Sequence, residues 1–163
     1  MATISKGQKP LKDLVGSIAS QYGVDEELIW AQMGAESEYD VGATSPKGAS
    51  GLMQIMPETF AEWAPRLGIK NPEITNAVHN VTVGTGYMWH LLDRYGGDNV
   101  KALRAYNAGS GNEDSGEAAK FGETTQYLDK IHATYPLEGV EFSGGEDKTH
   151  RYTPSGGCPS LCW

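Results

Sequence analysis

Apolar residues recur every three to four positions along most of the chain up to Pro136, a spacing typical of amphipathic helices. Pro10 is suited to opening a first helix and Gly23 to ending it. Asp25 is suited to capping a second helix, because its side chain can accept from an amide at the start of the helix. The pattern therefore predicts a helical beginning to the chain.

The same spacing predicts four more helices. They run from Pro57 to about Leu67, over 75–95, over 99–107 and over 123–135, with loops over 40–51 and 108–121 where Gly and Ser accumulate. Gly84 and Gly86 fall inside the longest helix, where each costs up to ~1 kcal/mol relative to Ala. We interpret both as points of close packing between helices. The fold class predicted is all-α.

One acidic residue, Glu36, stands at the end of the second helix. Ile29, Met33 and Glu36 share one side of that helix. Both the helix dipole and burial disfavour a negative charge there, so we expect the pKa of Glu36 to be raised. A carboxyl group that keeps its proton near neutral pH suits acid–base chemistry on a sugar chain.

Three segments of the chain, in order, resemble the signature motifs of one family. They are Glu36-Ser37 followed by SPKGASGLMQIMP at 45–57, AYNAG at 105–109 and ETTQY at 123–127. The family is that of the soluble lytic transglycosylase catalytic domains, relatives of goose-type lysozyme that cleave the glycan strands of peptidoglycan. The resemblance covers roughly residues 10–136 and implies a lysozyme-like, all-α domain with a substrate groove.

The chemistry that the resemblance implies uses a single carboxyl group, whereas most glycosidases use two. Glu36 would protonate the glycosidic oxygen between MurNAc and GlcNAc, with help from the N-acetyl group at the anomeric carbon. The same carboxylate would then remove a proton from the 6-hydroxyl of the sugar. That hydroxyl closes a 1,6-anhydro ring, and no water enters the product.

The resemblance also implies a set of substrate-binding residues. They are Ser37, Ser45, Gln54, Met56, Tyr106, Asn107, Glu123 and Tyr127. Ser45 and Gln54 offer neutral hydrogen-bonding groups to sugars, and Met56 offers an apolar surface.

Each of these residues also has a purely structural interpretation. Ser37 could bond its own helix backbone, and Met56 could belong to the core. Asn107 fits an ordinary helix end, and Glu123 fits a favourable charge in the first turn of a helix.

Two positions depart from the family pattern. Asp40-Val41 replaces the usual Asn-Pro, and Ser110 replaces a common Pro. Asp40 or Glu38 could supply a second carboxylate and favour hydrolysis. A lysozyme-like peptidoglycan hydrolase and a non-catalytic glycan-binding structural module are therefore kept as alternatives.

Composition limits the classes of molecule that the chain is expected to bind. The net charge of −8 and pI near 4.9 argue against nucleic acid, which needs a basic face. No apolar stretch reaches the length of a membrane span, and no signal peptide is visible at the N-terminus. We expect action at the bacterial cell wall, in the periplasm, outside the cell or after delivery by a phage virion or lysis system.

No cofactor or metal is predicted, because the histidines show no metal-ligand spacing and the two cysteines cannot form a zinc set. Those cysteines, Cys158 and Cys162, form either a small disulfide or a free pair. The organisation predicted is an N-terminal arm over 1–9, the catalytic domain over 10–136 and a Gly/Ser-rich extension over 137–163, which could dock an assembly partner.

Overall fold

Helices make up the regular structure of residues 5–139, the part of the chain that this computed structural model describes. They are α1 (Lys9–Tyr22), α2 (Glu26–Ser37), α3 (Pro57–Arg66), α4 (Ala77–Arg94), α5 (Asn99–Ala108), α6 (Ser110–Asp114) and α7 (Gly122–His132), with a 3₁₀ turn at Ala118–Lys120. The chain forms two compact units; unit 1 ends at Tyr87 and unit 2 begins at Met88. The boundary falls inside α4.

The predicted roles of Pro10, Gly23 and Asp25 at the ends of the first two helices are confirmed, although α1 begins one residue before Pro10. Pro10 lies in the first turn of α1, and Gly23 ends the helix in a left-handed conformation (φ 67°). The Asp25 side chain accepts a hydrogen bond from the Glu27 N–H at 2.9 Å and so caps α2. Helices α1 and α2 pack against each other.

The core of unit 1 is built from the apolar faces of α1 to α4 and from the turn before α3. Its fully buried large apolar side chains are Val15, Leu28, Ile29, Met33, Leu52, Met53 and Val81. Each such side chain contributes roughly 1.5–3 kcal/mol relative to an exposed position. Leu52 and Met53 come from the first motif, so that motif is part of the core as well as of the candidate site.

Both glycines inside α4 lie at close contacts, although their partners lie in the turn before α3 and at the C-cap of α3 rather than inside another helix. A Cβ at Gly84 would lie 2.6 Å from the Met53 Cβ, and one at Gly86 would lie 2.8 Å from the Leu67 Cδ1. A side chain larger than hydrogen therefore does not fit at Gly84 without displacing the turn that carries Met53.

In unit 2, α5 packs against both α6 and α7. The expectation of a loop over 108–121 is wrong, since this stretch contains α6 and the 3₁₀ turn. The helical turn is held by Arg104, whose guanidinium donates two hydrogen bonds to the Glu113 carboxylate at 2.8 and 2.9 Å. The last helix, α7, ends at His132 rather than at the predicted 135.

Leu137, which the sequence assigns to the extension, is buried, and its N–H donates to Nδ1 of His132 at 2.9 Å. Residues 140–163, which include Cys158 and Cys162, lie outside the described part of the chain. Across residues 5–139, no helix is both long and apolar enough to cross a membrane.

Candidate active site

Glu36 lies in the last turn of α2 and is half-buried, as the sequence predicts. Ile29 and Met33, on the same side of the helix, are fully buried. The helix stops immediately afterwards, because Glu38 and Tyr39 both adopt left-handed backbone conformations (φ 52° and 65°). Glu36 thus precedes a sharp change of chain direction and follows a helix face that is buried in the core of unit 1.

The turn after Glu36 is held by Tyr39. Its ring stacks on Trp30 with the ring centroids 4.3 Å apart, and its hydroxyl donates to the Trp30 carbonyl at 3.3 Å. A Cβ at Gly34 would lie 2.7 Å from the Tyr39 hydroxyl, so only glycine fits there without a shift of that ring. A left-handed conformation costs a bulky residue of order 1–3 kcal/mol, which these contacts offset.

The Ser37 hydroxyl joins the end of α2 to the first motif. It lies 2.8 Å from the carbonyl oxygen of Leu52 and 3.2 Å from that of Met33, and the residue is buried. A single hydroxyl hydrogen is shared between these two acceptors. The serine therefore makes the backbone contact that the structural interpretation expected, and it also makes a tertiary contact that the sequence does not show.

The hydrogen bonds of Asp40 stabilise the turn in which it lies. Its Oδ1 accepts a hydrogen bond from the Gly42 N–H at 2.8 Å, and its carbonyl accepts from the Ala43 N–H. An aspartate that bonds the amide two residues ahead stabilises a turn without proline. This contact explains how the chain forms the bend with Asp40-Val41 in place of Asn-Pro.

Ser45 closes the next turn of the loop. Its hydroxyl accepts from the Ala49 N–H at 3.0 Å, while its own N–H donates to the Ala49 carbonyl at 2.9 Å. The hydroxyl hydrogen of Ser45 remains available for donation, and the residue is half-buried. Ser50 pairs through its backbone with Thr44 on one side and Ile55 on the other.

Gln54 adopts a left-handed conformation (φ 46°) in the centre of the first motif. Its Nε2 donates to the carbonyls of Ala43 (3.0 Å) and Gly51 (2.8 Å), which commits both amide hydrogens to the loop. The Oε1 is the atom left to accept from a ligand. Met56 is 37% exposed, which favours a surface role over the core interpretation.

Asn80 is part of this arrangement and was not identified from the sequence. It is 1% exposed, its Oδ1 accepts from the Met53 N–H at 2.9 Å, and its Nδ2 donates to the carbonyls of Ser50 (3.0 Å) and Ile74 (2.9 Å). Two of these three hydrogen bonds hold the backbone of the first motif, and the third holds Ile74 in the segment before α4. In the sequence, the feature that could have indicated this role is a polar side chain directly before Val81, within the apolar pattern of α4.

In unit 2, a hydrogen bond between two side chains joins the second motif to the third. Tyr106 and Asn107 are half-buried at the end of α5. The hydroxyl of Thr124, itself 2% exposed, donates to the Asn107 Oδ1 at 2.8 Å. Asn107 therefore fixes the start of α7, and Thr124, a member of the ETTQY motif that the sequence interpretation passed over, is its partner.

Glu123 and Tyr127 share a face of α7 but differ in exposure. Glu123 is exposed in the first turn, and Tyr127 is buried one turn later. Unit 1 thus holds Glu36 with Ser37, Ser45, Gln54 and Met56, and unit 2 holds Tyr106 and Asn107 with Glu123 and Tyr127.

Ion pairs stabilise the segment that follows the second motif. The Glu113 side chain is 5% exposed in its bidentate pair with Arg104. At the surface, hydrogen bonds from Arg94 and then from Tyr95 lower the pKa of Asp114. Among residues 5–139, no group of three or more His, Cys, Asp or Glu side chains is arranged to hold a metal ion.

The family model described as "Transglycosylase SLT domain" matches residues 13–128. The chain therefore belongs to this family. The match includes all three motifs and both units, and it confirms the family that the resemblance indicated.

Curated relatives carry related names. A transglycosylase of Enterobacteria phage PRD1 is 34% identical over 108 residues, covering 66% of this chain and 38% of the relative. The soluble lytic murein transglycosylase of Escherichia coli K12 is 31% identical over 103 residues, covering 61% of this chain and 16% of the relative. The chain thus spans well under half the length of these relatives.

Solved structures share the fold. An inactive mutant of a lytic transglycosylase from Pseudomonas aeruginosa superposes with a TM-score of 0.70 at 27% identity, covering 75% of this chain and 22% of that one. A 70-kDa soluble lytic transglycosylase in complex with bulgecin A gives a TM-score of 0.69 at 27% identity, with 75% and 23% covered. These likenesses confirm the all-α, lysozyme-like fold class.

Proposed function

We propose that this chain is a peptidoglycan lytic transglycosylase that cleaves the MurNAc-β-1,4-GlcNAc bond without water and leaves 1,6-anhydro-MurNAc ends. The observation that carries the proposal is the setting of Glu36. This carboxyl group is half-buried at the end of α2, and the next residue, Ser37, bonds the Leu52 carbonyl of the first motif. A proton donor held beside the family's sugar-binding motif suits cleavage of a glycosidic bond.

In the first step, the Glu36 carboxyl group donates its proton to the glycosidic oxygen. The bond between that oxygen and the anomeric carbon of MurNAc breaks, and the electron pair leaves with the oxygen. The N-acetyl group stabilises the positive charge that develops at the anomeric carbon.

In the second step, the Glu36 carboxylate removes the proton of the 6-hydroxyl of the same sugar. The oxygen of that hydroxyl forms a bond to the anomeric carbon and closes the anhydro ring. Glu36 is protonated again at the end, so one carboxyl group serves as acid and then as base.

The contacts of the neighbouring residues support distinct roles. We expect the hydroxyl hydrogen of Ser45 and the Oε1 of Gln54 to bond hydroxyl and acetamide groups, since the other hydrogen-bonding atoms of these side chains hold the loop. The exposed Met56 offers an apolar surface to a sugar ring. We assign substrate contacts in unit 2 to Tyr106, Asn107, Glu123 and Tyr127, and we assign Ser37 to positioning Glu36.

The structure offers a reason to prefer this reaction over hydrolysis. A hydrolase needs a second carboxylate to activate water or to form a covalent intermediate. Asp40 lies four residues beyond Glu36, but its Oδ1 accepts the Gly42 N–H and stabilises the turn. This use of Asp40 supports the route with one carboxyl group.

The setting that we propose is the bacterial cell wall, reached in the periplasm or from a phage virion or lysis system. The relatives include a protein of phage PRD1 and a protein of Escherichia coli, so the proposal keeps both routes. The partners proposed are glycan strands of peptidoglycan, with no nucleic acid.

Digestion of purified peptidoglycan, followed by mass spectrometry of the released fragments, tests the function. Anhydro ends make each fragment lighter by one water than the same fragment with an ordinary reducing end. We expect anhydro ends throughout. Ordinary reducing ends would establish hydrolysis instead, and binding without release of fragments would establish a glycan-binding module.

A further inference from the structure

Asn80 is buried in α4, and its side chain makes three hydrogen bonds, all to main-chain atoms outside its own helix. Two of them hold the first motif, at Ser50 and Met53. We propose that Asn80 is a positioning residue for Glu36 and acts on it through the 50–53 turn and Ser37. This inference rests on the proposed function and names a determinant of the same reaction.

The contacts form a continuous path within unit 1. The Oδ1 of Asn80 accepts from the Met53 N–H at 2.9 Å, which fixes the peptide that joins Leu52 to Met53. The carbonyl of that peptide belongs to Leu52 and accepts from the Ser37 hydroxyl at 2.8 Å. Asn80 and Ser37 therefore bond opposite sides of one peptide unit, and Ser37 adjoins Glu36 in the last turn of α2.

Gly51 shows how closely Asn80 fits the turn. A Cβ at Gly51 would lie 2.3 Å from the Nδ2 and 2.7 Å from the Cγ of Asn80, and Gly51 has a φ of 80° that L side chains rarely adopt. No Cβ fits at Gly51 beside the Asn80 side chain, so we expect Gly51→Ala to move the peptide that Ser37 binds.

The position of a proton donor controls the rate of proton transfer more than it controls substrate affinity. A misplacement of about 1 Å at a reacting group can cost about 100-fold in rate. Loss of the Asn80 side chain removes the acceptor of the buried Met53 N–H and one of the two donors to the Ser50 carbonyl, which keeps its bond from the Ile55 N–H. We expect the turn to shift so that the Met53 amide finds another acceptor. The expected consequence is a slower chemical step with little change in substrate binding.

The test measures kcat and apparent KM on purified glycan strands for Asn80→Ala, Gly51→Ala, Ser37→Ala and the double variant of Ser37→Ala with Asn80→Ala. We expect Asn80→Ala and Gly51→Ala to lower kcat by roughly 10- to 100-fold with an apparent KM within about threefold of wild type. Because Ser37 and Asn80 act on one peptide, the double variant should lose little more than the more damaging single variant.

Val81→Ala is the matched control, since Val81 is the next residue of α4, is fully buried and has no bond to the turn. It should lower the unfolding temperature about as much as Asn80→Ala but keep kcat within about twofold at a temperature where both variants are folded. A comparable loss of kcat in Val81→Ala would overturn the inference, because general loosening would then explain the effect. Multiplicative losses in the double variant would overturn it as well.

The products of the wild-type enzyme distinguish a failure of this inference from a failure of the proposed function on which it rests. If the wild type yields anhydro ends and the losses of kcat in Ser37→Ala and Asn80→Ala multiply in the double variant, only the role of Asn80 is rejected. If the wild type yields no anhydro ends, the proposed function is rejected, and the inference about Asn80 is rejected with it.

Discussion

The hydroxyl of Thr124 donates a hydrogen bond to the side-chain oxygen of Asn107 at 2.8 Å, and this contact joins the end of α5 to the first turn of α7. Thr124 is 2% exposed, so water cannot replace the lost donor easily. Thr124→Val keeps the shape of the side chain and removes the hydroxyl. We expect it to lower the free energy of unfolding by about 1–3 kcal/mol and to slow glycan cleavage by about tenfold.

Urea unfolding and a cleavage assay check this prediction. Thr125→Val is the matched control, because the Thr125 hydroxyl donates to the carbonyl of Phe121, the N-cap residue of α7, and the residue is half-buried. The control should stay within about 0.5 kcal/mol of wild type. Equal effects of the two substitutions would show that the hydrogen bond to Asn107 contributes no more to stability or to cleavage than the control contact does.

Gly84 and Gly86 should respond differently to the same substitution. The added Cβ at Gly84 meets the Met53 Cβ, which is attached directly to the backbone, whereas at Gly86 it meets the end of the flexible, half-buried Leu67 side chain. We expect Gly84→Ala to destabilise the protein by about 1–3 kcal/mol. Gly86→Ala should be near neutral, because the gain in helix propensity of up to ~1 kcal/mol offsets a small side-chain shift. Thermal unfolding distinguishes them, and the reverse order would contradict the packing described here.

The buried ion pair between Arg104 and Glu113 should contribute more to stability than a surface pair does. Glu113→Gln leaves the Arg104 guanidinium, 19% exposed, without its carboxylate. We expect a loss of about 1–3 kcal/mol. Glu117→Gln breaks the exposed pair with Lys120 and should cost at most about 1 kcal/mol. Chemical denaturation of both variants measures the difference, and equal stabilities would refute the claim that Glu113 holds α6.

Asp114 should contribute to stability in a pH-dependent way. Hydrogen bonds from Arg94 and Tyr95 lower its pKa below the ordinary value of 3.8 in the folded state. A carboxyl group with a depressed folded pKa stabilises the fold above its unfolded pKa, and this stabilisation is lost as the pH falls through the folded pKa. Asp114→Asn should therefore unfold at a lower temperature than wild type near neutral pH. The difference should vanish in strong acid, and a difference that grew in acid would contradict the assignment.

Helix boundaries were predictable wherever a local residue sets them. Pro10, Gly23 and Asp25 act through their own backbone geometry or through an amide two residues away, so the sequence alone places α1 and α2. Helix α6 was missed because five residues are too few to show a periodicity and its stability depends on the Arg104–Glu113 pair.

The residues of the candidate site also differ in whether the sequence could predict them. The motifs identified Glu36 and its neighbours because the family pattern is long and ordered. Asn80 escaped notice because its partners lie far along the chain, 27 residues away at Met53 and 30 at Ser50. A polar residue inside an apolar helix pattern does not reveal which distant backbone groups it binds.

The central claim is that Glu36 alone performs both proton transfers. The most direct measurement compares the fragments released from peptidoglycan by wild type, Glu36→Gln, Glu38→Gln and Asp40→Asn, with circular dichroism to show that each variant is folded. We expect anhydro ends from wild type and from the Glu38 and Asp40 variants, and at least 100-fold less product from Glu36→Gln. Cleavage by Glu36→Gln at the wild-type rate, or loss of activity only in Asp40→Asn, would contradict the account.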